Sequence, residues 1–186
     1  MKFIDTDVDG APLIEIEPIG DERGFFARVW CDDEFAAAGL DITWVQANAG
    51  FSPAPGTLRG LHLQRAPHAE WKLVRCTTGS LFDVVVDLRP ESPTYLRWHG
   101  VELTAANHRS LLVPPGCAHG YQTLEPDTEL LYLTSHRYAR DAATGVRFDD
   151  PAFGIDWPHP LGPISDGDRS WDLWSEDDLR SKGIDE

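Results

Sequence analysis

The chain has 186 residues, 41% of them hydrophobic, which is enough to bury one good core and predicts a single domain over 1–186. Its 16 Lys and Arg stand against 31 Asp and Glu, and the formal charge of −15 disfavours a nucleic-acid backbone or an anionic membrane as partner; no apolar stretch reaches the length of a signal peptide or a bilayer span. A soluble, cytoplasmic protein is expected, and its three cysteines, Cys31, Cys76 and Cys117, being far apart and without CxxC spacing, are expected to be reduced and buried.

In chain order, apolar/polar alternation and turn residues predict strands at 13–16, 25–30, 44–48, 57–64, 71–77, 80–88, 98–103, 109–113 and 129–137. Residues 32–38 read as one short helix, with an acidic start, an alanine run and a stop at Gly39, and a second amphipathic helix is expected over 175–181. The stretch 149–168 holds Pro151, Pro158, Pro160 and Pro163 and reads as an ordered wrap around a barrel, not as a strand. Many short strands with little helix point to an all-β sandwich or barrel.

Two runs carry chemistry, Arg59-Gly60-Leu61-His62-Leu63-Gln64 and Lys72-Leu73-Val74-Arg75. Strand alternation puts His62 and Gln64 on one face, and Lys72 stands beside them if the two strands neighbour each other. A base and a fixed cation would then share a pocket suited to removing a proton next to a carbonyl, the ammonium stabilising the charge that arrives on oxygen. A hydrogen-bonded core histidine and a solvated lysine are the bland alternative. Arg23 and Arg59, each beside a glycine, are candidates to grip a small anion, or else they pair with acids such as Asp21 or Glu22. His119 follows the Pro114-Pro115-Gly116 turn, a rim position where ligand contacts collect. Tyr132 is the polar member of an apolar strand and, alone, reads most simply as a core tyrosine.

Together with these runs, Asp21-Glu22-Arg23-Gly24-Phe25-Phe26, Asp83-Val84-Val85-Val86-Asp87-Leu88-Arg89, Ser92-Pro93-Thr94, Pro115-Gly116-Cys117-Ala118-His119-Gly120 and Asp149-Asp150-Pro151 resemble, in order from about residue 3 to about 174, the dTDP-4-dehydrorhamnose 3,5-epimerase (RmlC-like) family. The resemblance implies a cupin-type β jelly roll with short peripheral helices, a homodimer formed partly by strand exchange, no metal or other cofactor, and a nucleotide-linked 4-keto-6-deoxyhexose as substrate. Position by position it implies His62 as the base, Asp168 as the carboxylate that orients it, Lys72 as the holder of the enolate oxygen with help from His119, and Tyr132 as the acid that returns a proton on the opposite face. By the same resemblance Arg59, with Arg23 and Phe25 from the partner, would hold the diphosphate and the base, and Gln46, Asn48 and Tyr138 would line the substrate.

A metal set drawn from His62, His68, Glu70 and His119 is argued against by spacing. The metal-binding cupin pattern supplies its first two histidines as His-x-His on one strand face, and no such pair occurs here. The chain departs from the family's usual residues at Arg28 (glutamate is common there), Ala47 (aspartate), Gly50 (serine) and Glu70 (glutamine). Two alternatives stay open: epimerisation at C3 or C5 alone in another deoxysugar pathway, and a cupin-fold sugar-binding protein without catalysis.

Overall fold

The structure, a computed structural model, describes residues 1–175. Thirteen strands and two short helices are found there: β1 Lys2–Ile4, β2 Leu13–Glu15, β3 Ile19–Asp21, β4 Gly24–Phe26, α1 Asp32–Ala37, β5 Gln46–Ser52, β6 Leu58–Gln64, β7 Lys72–Thr78, β8 Ser80–Asp87, β9 Trp98–Thr104, β10 Ser110–Val113, β11 Cys117–Thr123, β12 Thr128–Thr134, β13 Ala143–Gly145 and α2 Asp166–Arg169. They build a six-stranded sheet in the order β1-β2-β10-β7-β12-β5, a five-stranded sheet in the order β13-β6-β11-β8-β9, and the β3-β4 hairpin. All of the pairings are antiparallel, as a jelly roll requires. The helix expected over 175–181 lies, beyond Ser175, outside the described residues. No helix among the described residues is long and apolar enough to cross a membrane.

Alternation sorts each strand's residues between two cores. Val74 and Cys76 of β7, Leu81 and Val85 of β8, Cys117 and Tyr121 of β11 and Leu130 of β12 meet between the sheets, with Tyr132 packed against them. The intervening residues Leu61, Leu63, Val84, Val86 and Ala118 face outward and are covered by Phe153, Ile155, Trp157 and Trp174 of the proline-rich wrap. Helix α1 closes a third cluster by burying Phe35 against Ile14, Ile42, Leu73 and Leu112. It stops where Gly39, at φ +80, lets the Gly39 and Leu40 amides turn back onto the carbonyls of Ala36 and Phe35.

The structure departs from the sequence expectations in several places: β1, β3 and β13 were not expected, and β5 runs on to Ser52 instead of ending at 48. The strand expected over 25–30 shrinks to Gly24–Phe26, because Gly24 at φ +127 makes a tight hairpin with Ile19–Asp21. Residues 117–123, read as a rim after a turn, form the fully buried strand β11 between β6 and β8. Covered on both faces, β11 has no polar side to alternate with and mixes Ala118, His119 and Gly120. Cys31 is only half-buried, whereas Cys76 and Cys117 are buried as expected, and burial pushes the Cys76 thiol up to about 11.

The wrap is tied down by backbone and side-chain bonds. Gln122, fully buried on β11, donates to the His159 carbonyl and accepts from the His159 amide, both at 3.0 Å. Gly162 donates to Gly56 at 2.8 Å, and the Leu58 amide donates to Pro163 at 3.0 Å. These bonds aim the following residues, 165–171, at the open side of β6.

Candidate active site

Strand β6 carries the centre of the site, and a β-bulge shapes it. Opposite β11, His119 pairs with His62 while Tyr121 pairs with Arg59, so three steps on β6 match two on β11. Plain alternation would place Arg59 and His62 on opposite faces; the extra residue turns both toward the interior. Gly60 sits in the bulge at φ +119, and a Cβ there would lie 2.6 Å from the Gly120 Cα and 2.7 Å from the His119 oxygen. Only glycine fits that crossing.

Asp168 reaches His62 from the far end of the chain. Ser165 caps α2 by accepting from the Asp168 amide at 3.0 Å, and the Asp168 side chain, 8% exposed, then meets His62 Nε2 at 2.6 Å across 106 residues of sequence. Its other oxygen accepts from the Gly60 amide at 3.4 Å. Burial works against the Asp168 charge, but the His62 hydrogen bond and its charge, with the Gly60 amide, hold the carboxyl below the usual aspartate range. With Nε2–H donating its hydrogen bond to the carboxylate, His62 keeps its basic lone pair on Nδ1. The imidazole is 46% exposed and lies edge-on to Trp171, with ring centroids 6.5 Å apart.

Lys72 comes to this pair from the facing sheet and not from a strand next to β6, because β6 lies between β13 and β11 whereas β7 lies between β10 and β12. Lys72 pairs with Thr134 of β12, one step along the same face from the Val74–Tyr132 pair, so Lys72 and Tyr132 are diagonal neighbours on the opposing sheet. Its Nζ donates to the His62 carbonyl at 3.1 Å and faces Glu70 Oε1 at 3.5 Å. Burial pushes the Tyr132 phenol up, reinforced by the Glu70 charge and opposed by Arg59, so the hydroxyl stays protonated at neutral pH. Among the described residues no hydrogen-bond partner contributes to that shift. Gln46 and Asn48 flank Tyr132 on β5, joined by a 2.8 Å bond from Gln46 Nε2 to Asn48 Oδ1, and the Tyr138 amide donates to Gln46 Oε1 at 3.4 Å. Arg59 reaches across to the Phe51 carbonyl at 3.0 Å and the Ser52 hydroxyl at 3.4 Å.

His119 is not at the rim. It is buried in the middle of the barrel, its Nε2 2.8 Å from Asp83 Oδ1. Asp83 is a residue that the sequence reading gave no role, although a lone acid among Leu81, Val84, Val85 and Val86 on a buried strand was the available signal. Its second oxygen has no hydrogen-bond partner among the described residues. Arg23 and Phe25 are the two candidates not brought to the site within one chain. Arg23 forks onto Asp21 at 2.5–3.2 Å on the exposed hairpin, and Phe25 packs on His108 with ring centroids 5.0 Å apart. Of the four departures, Arg28 pairs with Glu34 at 2.9 Å on the surface and Ala47 faces outward from β5. Gly50 and Glu70 point inward, and a Cβ on Gly50 would come within 3.3 Å of the Tyr121 hydroxyl.

The arrangement defines a class of protein: a jelly-roll barrel whose interior offers a carboxylate-backed imidazole, a buried ammonium and a protonated phenol, the set needed to move protons beside a carbonyl. The family model for dTDP-4-dehydrorhamnose 3,5-epimerase matches residues 5–176. A dTDP-4-dehydrorhamnose 3,5-epimerase of Sinorhizobium fredii is 44% identical over 158 residues, covering 85% of this chain and 81% of the relative. The crystal structure of the Bacillus anthracis enzyme of that name, with TDP and pyrophosphate bound, superposes with a TM-score of 0.90 at 41% identity, over 93% of this chain and 99% of that one. A 3'-monoepimerase of Streptomyces bikiniensis, in complex with dTDP-quinovose, superposes at 0.85 with 31% identity, over 96% and 90% of the two chains. The chain belongs to the dTDP-4-dehydrorhamnose 3,5-epimerase family.

Proposed function

We propose that the protein epimerises a dTDP-linked 4-keto-6-deoxyhexose at C3 and C5, and that His62 with Asp168 is its base. The observation that carries this reading is the 2.6 Å His62–Asp168 contact with Lys72 beside it, in a chain of this family. His62 takes the proton from the carbon next to the C4 ketone, and the electron pair moves onto the ketone oxygen as an enolate. Lys72, with two of its three donor directions directed at the His62 carbonyl and Glu70, aims the third at that oxygen, and His119 adds a second polar contact. Tyr132 returns a proton from the other face, since a base that removed and restored the proton on one face would regenerate the starting sugar. Arg59 holds the diphosphate, and Gln46, Asn48 and Tyr138 line the nucleotide sugar.

The direct test is incubation with the 4-keto-6-deoxy nucleotide sugar in deuterated water while the ring protons are followed by NMR. Deuterium at both C3 and C5 with inversion supports the double epimerase. Label at one carbon supports the single-position reading, which the fold shared with the Streptomyces bikiniensis monoepimerase favours as the alternative. No label at either carbon sinks both and leaves a sugar-binding protein.

Asp168→Asn is expected to slow turnover ~10-fold or more, because an amide can offer the imidazole a donor where an acceptor is required and cannot balance the imidazolium. Wild-type rates would misplace the pair. The depressed Asp168 carboxyl also fixes a sign for stability. Its contribution is complete above the ordinary aspartate range and disappears as pH falls through the lowered value, so Asp168→Asn narrows the stability difference between neutral and acid solution.

The protein further reads as a cytoplasmic homodimer built from one domain, 1–186, with Arg23 and Phe25 completing the neighbour's site. Ile19 is 76% exposed and Phe26 72%, Phe25, Val29 and Trp30 lie open on the same segment, and edge strand β5 leaves Val45 and Phe51 uncovered. That much apolar surface on a hairpin and a free strand edge supports pairing. Light scattering is expected to give a dimer, and a fully active monomer would refute this part.

A further inference from the structure

Lys72 has a neighbour whose charge the mechanism above leaves unused. Its side chain and that of Glu70 are each 9% exposed, and the ammonium lies 3.5 Å from Glu70 Oε1. Glu70 is held in place from behind: Gln64 Nε2 donates to its second oxygen at 3.0 Å, while the Gln64 amide is itself fixed by the Ala139 amide at 2.6 Å and the carbonyls of His68 and Arg137 at 3.1 and 3.3 Å. The other ionisable groups around Lys72 come from every neighbouring strand. His62 on β6 is committed to Asp168, Asp83 on β8 is hydrogen-bonded to His119 on β11, Tyr132 on β12 is a neutral phenol, and His136 acts on Glu70 through its charge. Glu70 is the acid in contact with the ammonium, and Asp83 acts on it from further away.

An ammonium stripped of water in a barrel reverts to the neutral amine unless a nearby charge compensates. Resting on the role given to Lys72 above, we propose that Glu70 is a positioning residue for the epimerisation: it keeps Lys72 in its ammonium form and aimed at the C4 oxygen of the sugar. Burial prevails over the pairing at both groups, leaving Lys72 below and Glu70 above its ordinary range. Burial pushes Lys72 down and Glu70 is the foremost influence raising it; burial pushes Glu70 up and Lys72 is the foremost influence lowering it. Without the carboxylate, burial would act on the amine with its nearest countercharge gone, and the charged share of Lys72 facing the enolate oxygen would fall.

Glu70→Gln tests this, since it keeps the length of the side chain and an oxygen for Gln64 while deleting the charge. The alkaline limb of kcat/KM is expected to move down by roughly 1–3 pH units, the usual effect of an opposite charge at this range, and Glu70→Asp to recover most of it. Tyr132 also feels Glu70, so the same comparison is made for solvent-deuterium uptake in a Tyr132→Phe background, where the same downward shift is expected. A third readout needs no substrate. The chain has only three lysines, Lys2, Lys72 and Lys182, so the ε-carbon of Lys72 can be followed by NMR in protein labelled at lysine. Its midpoint is expected above neutral pH in the wild type and lower by the same interval in Glu70→Gln. Superimposable alkaline limbs, an unmoved Lys72 midpoint, or a wild-type Lys72 that is neutral at pH 7 overturns the proposal. If Glu70→Gln does not fold, the wild-type and Glu70→Asp spectra decide it on the same criterion. A wild type that turns over no sugar removes the reading of function, while the lysine spectra still judge the link between Glu70 and Lys72.

Discussion

Replacing His62 with alanine is expected to lower turnover by at least ~10²-fold and to leave the barrel folded. The size follows from the loss of a positioned general base, which contributes 10²–10⁴-fold in enzymes of this kind. The fold survives because little of the core depends on the imidazole. The side chain is 46% exposed, and its packing is an edge contact with Trp171. The backbone pairing of residue 62 with His119 and Gly145 does not use the ring. Asp168 keeps the Gly60 amide as a partner when the imidazole is gone. Rates are read from the sugar's ring protons and folding from circular dichroism. A folded His62→Ala protein with near-normal turnover would falsify the assignment of the base.

Tyr132→Phe is expected to separate two events that the wild type couples. Phenylalanine preserves the packing against the inter-sheet core but has no proton to give, so His62 can still remove and restore a proton on its own face. Exchange of sugar hydrogens with deuterated water should continue while net inversion falls by ~10²-fold, the lower range for a lost general acid. Stability should hardly change, since no hydrogen-bond partner among the described residues contributes to the shift of the Tyr132 phenol. If the variant inverts the sugar as fast as the wild type, Tyr132 is a core tyrosine and another donor completes the reaction.

Strands with one face in the inter-sheet core and the other solvated or under α1 were legible from alternation, as β7, β9 and β12 show by starting and ending within a few residues of their expected limits. Strand β11 was not, because a strand buried on both faces has no period to read. His119 was assigned to the surface for the same reason. The shared face of His62 and Gln64 followed from alternation, but Lys72 reaches them from the facing sheet and not from a neighbouring strand, and Arg59 joins the face only through the bulge, where period-2 reasoning gives the wrong side for a residue three positions away. Asp168 is the extreme case. No local rule links it to His62, and its place came from the family resemblance alone. The sequence did hold one clue to the local geometry: Ser165-Asp166-Gly167-Asp168 has the serine and acid spacing of a helix cap.

The origin of Asp168 in the wrap, and not in a barrel strand, has a consequence for the newly made chain. Strands β5 to β12 are all translated by residue 134, so the pocket walls, Lys72 and Tyr132 can assemble on a nascent polypeptide whose imidazole still lacks its carboxylate. Its partner Asp168 comes from α2, laid against β6 beyond a wrap that the Gln122–His159 bonds hold to β11. A chain cut before residue 168 would keep His62, Lys72 and Tyr132 but lose the carboxylate that orients the base, and its turnover should fall as it does in Asp168→Asn.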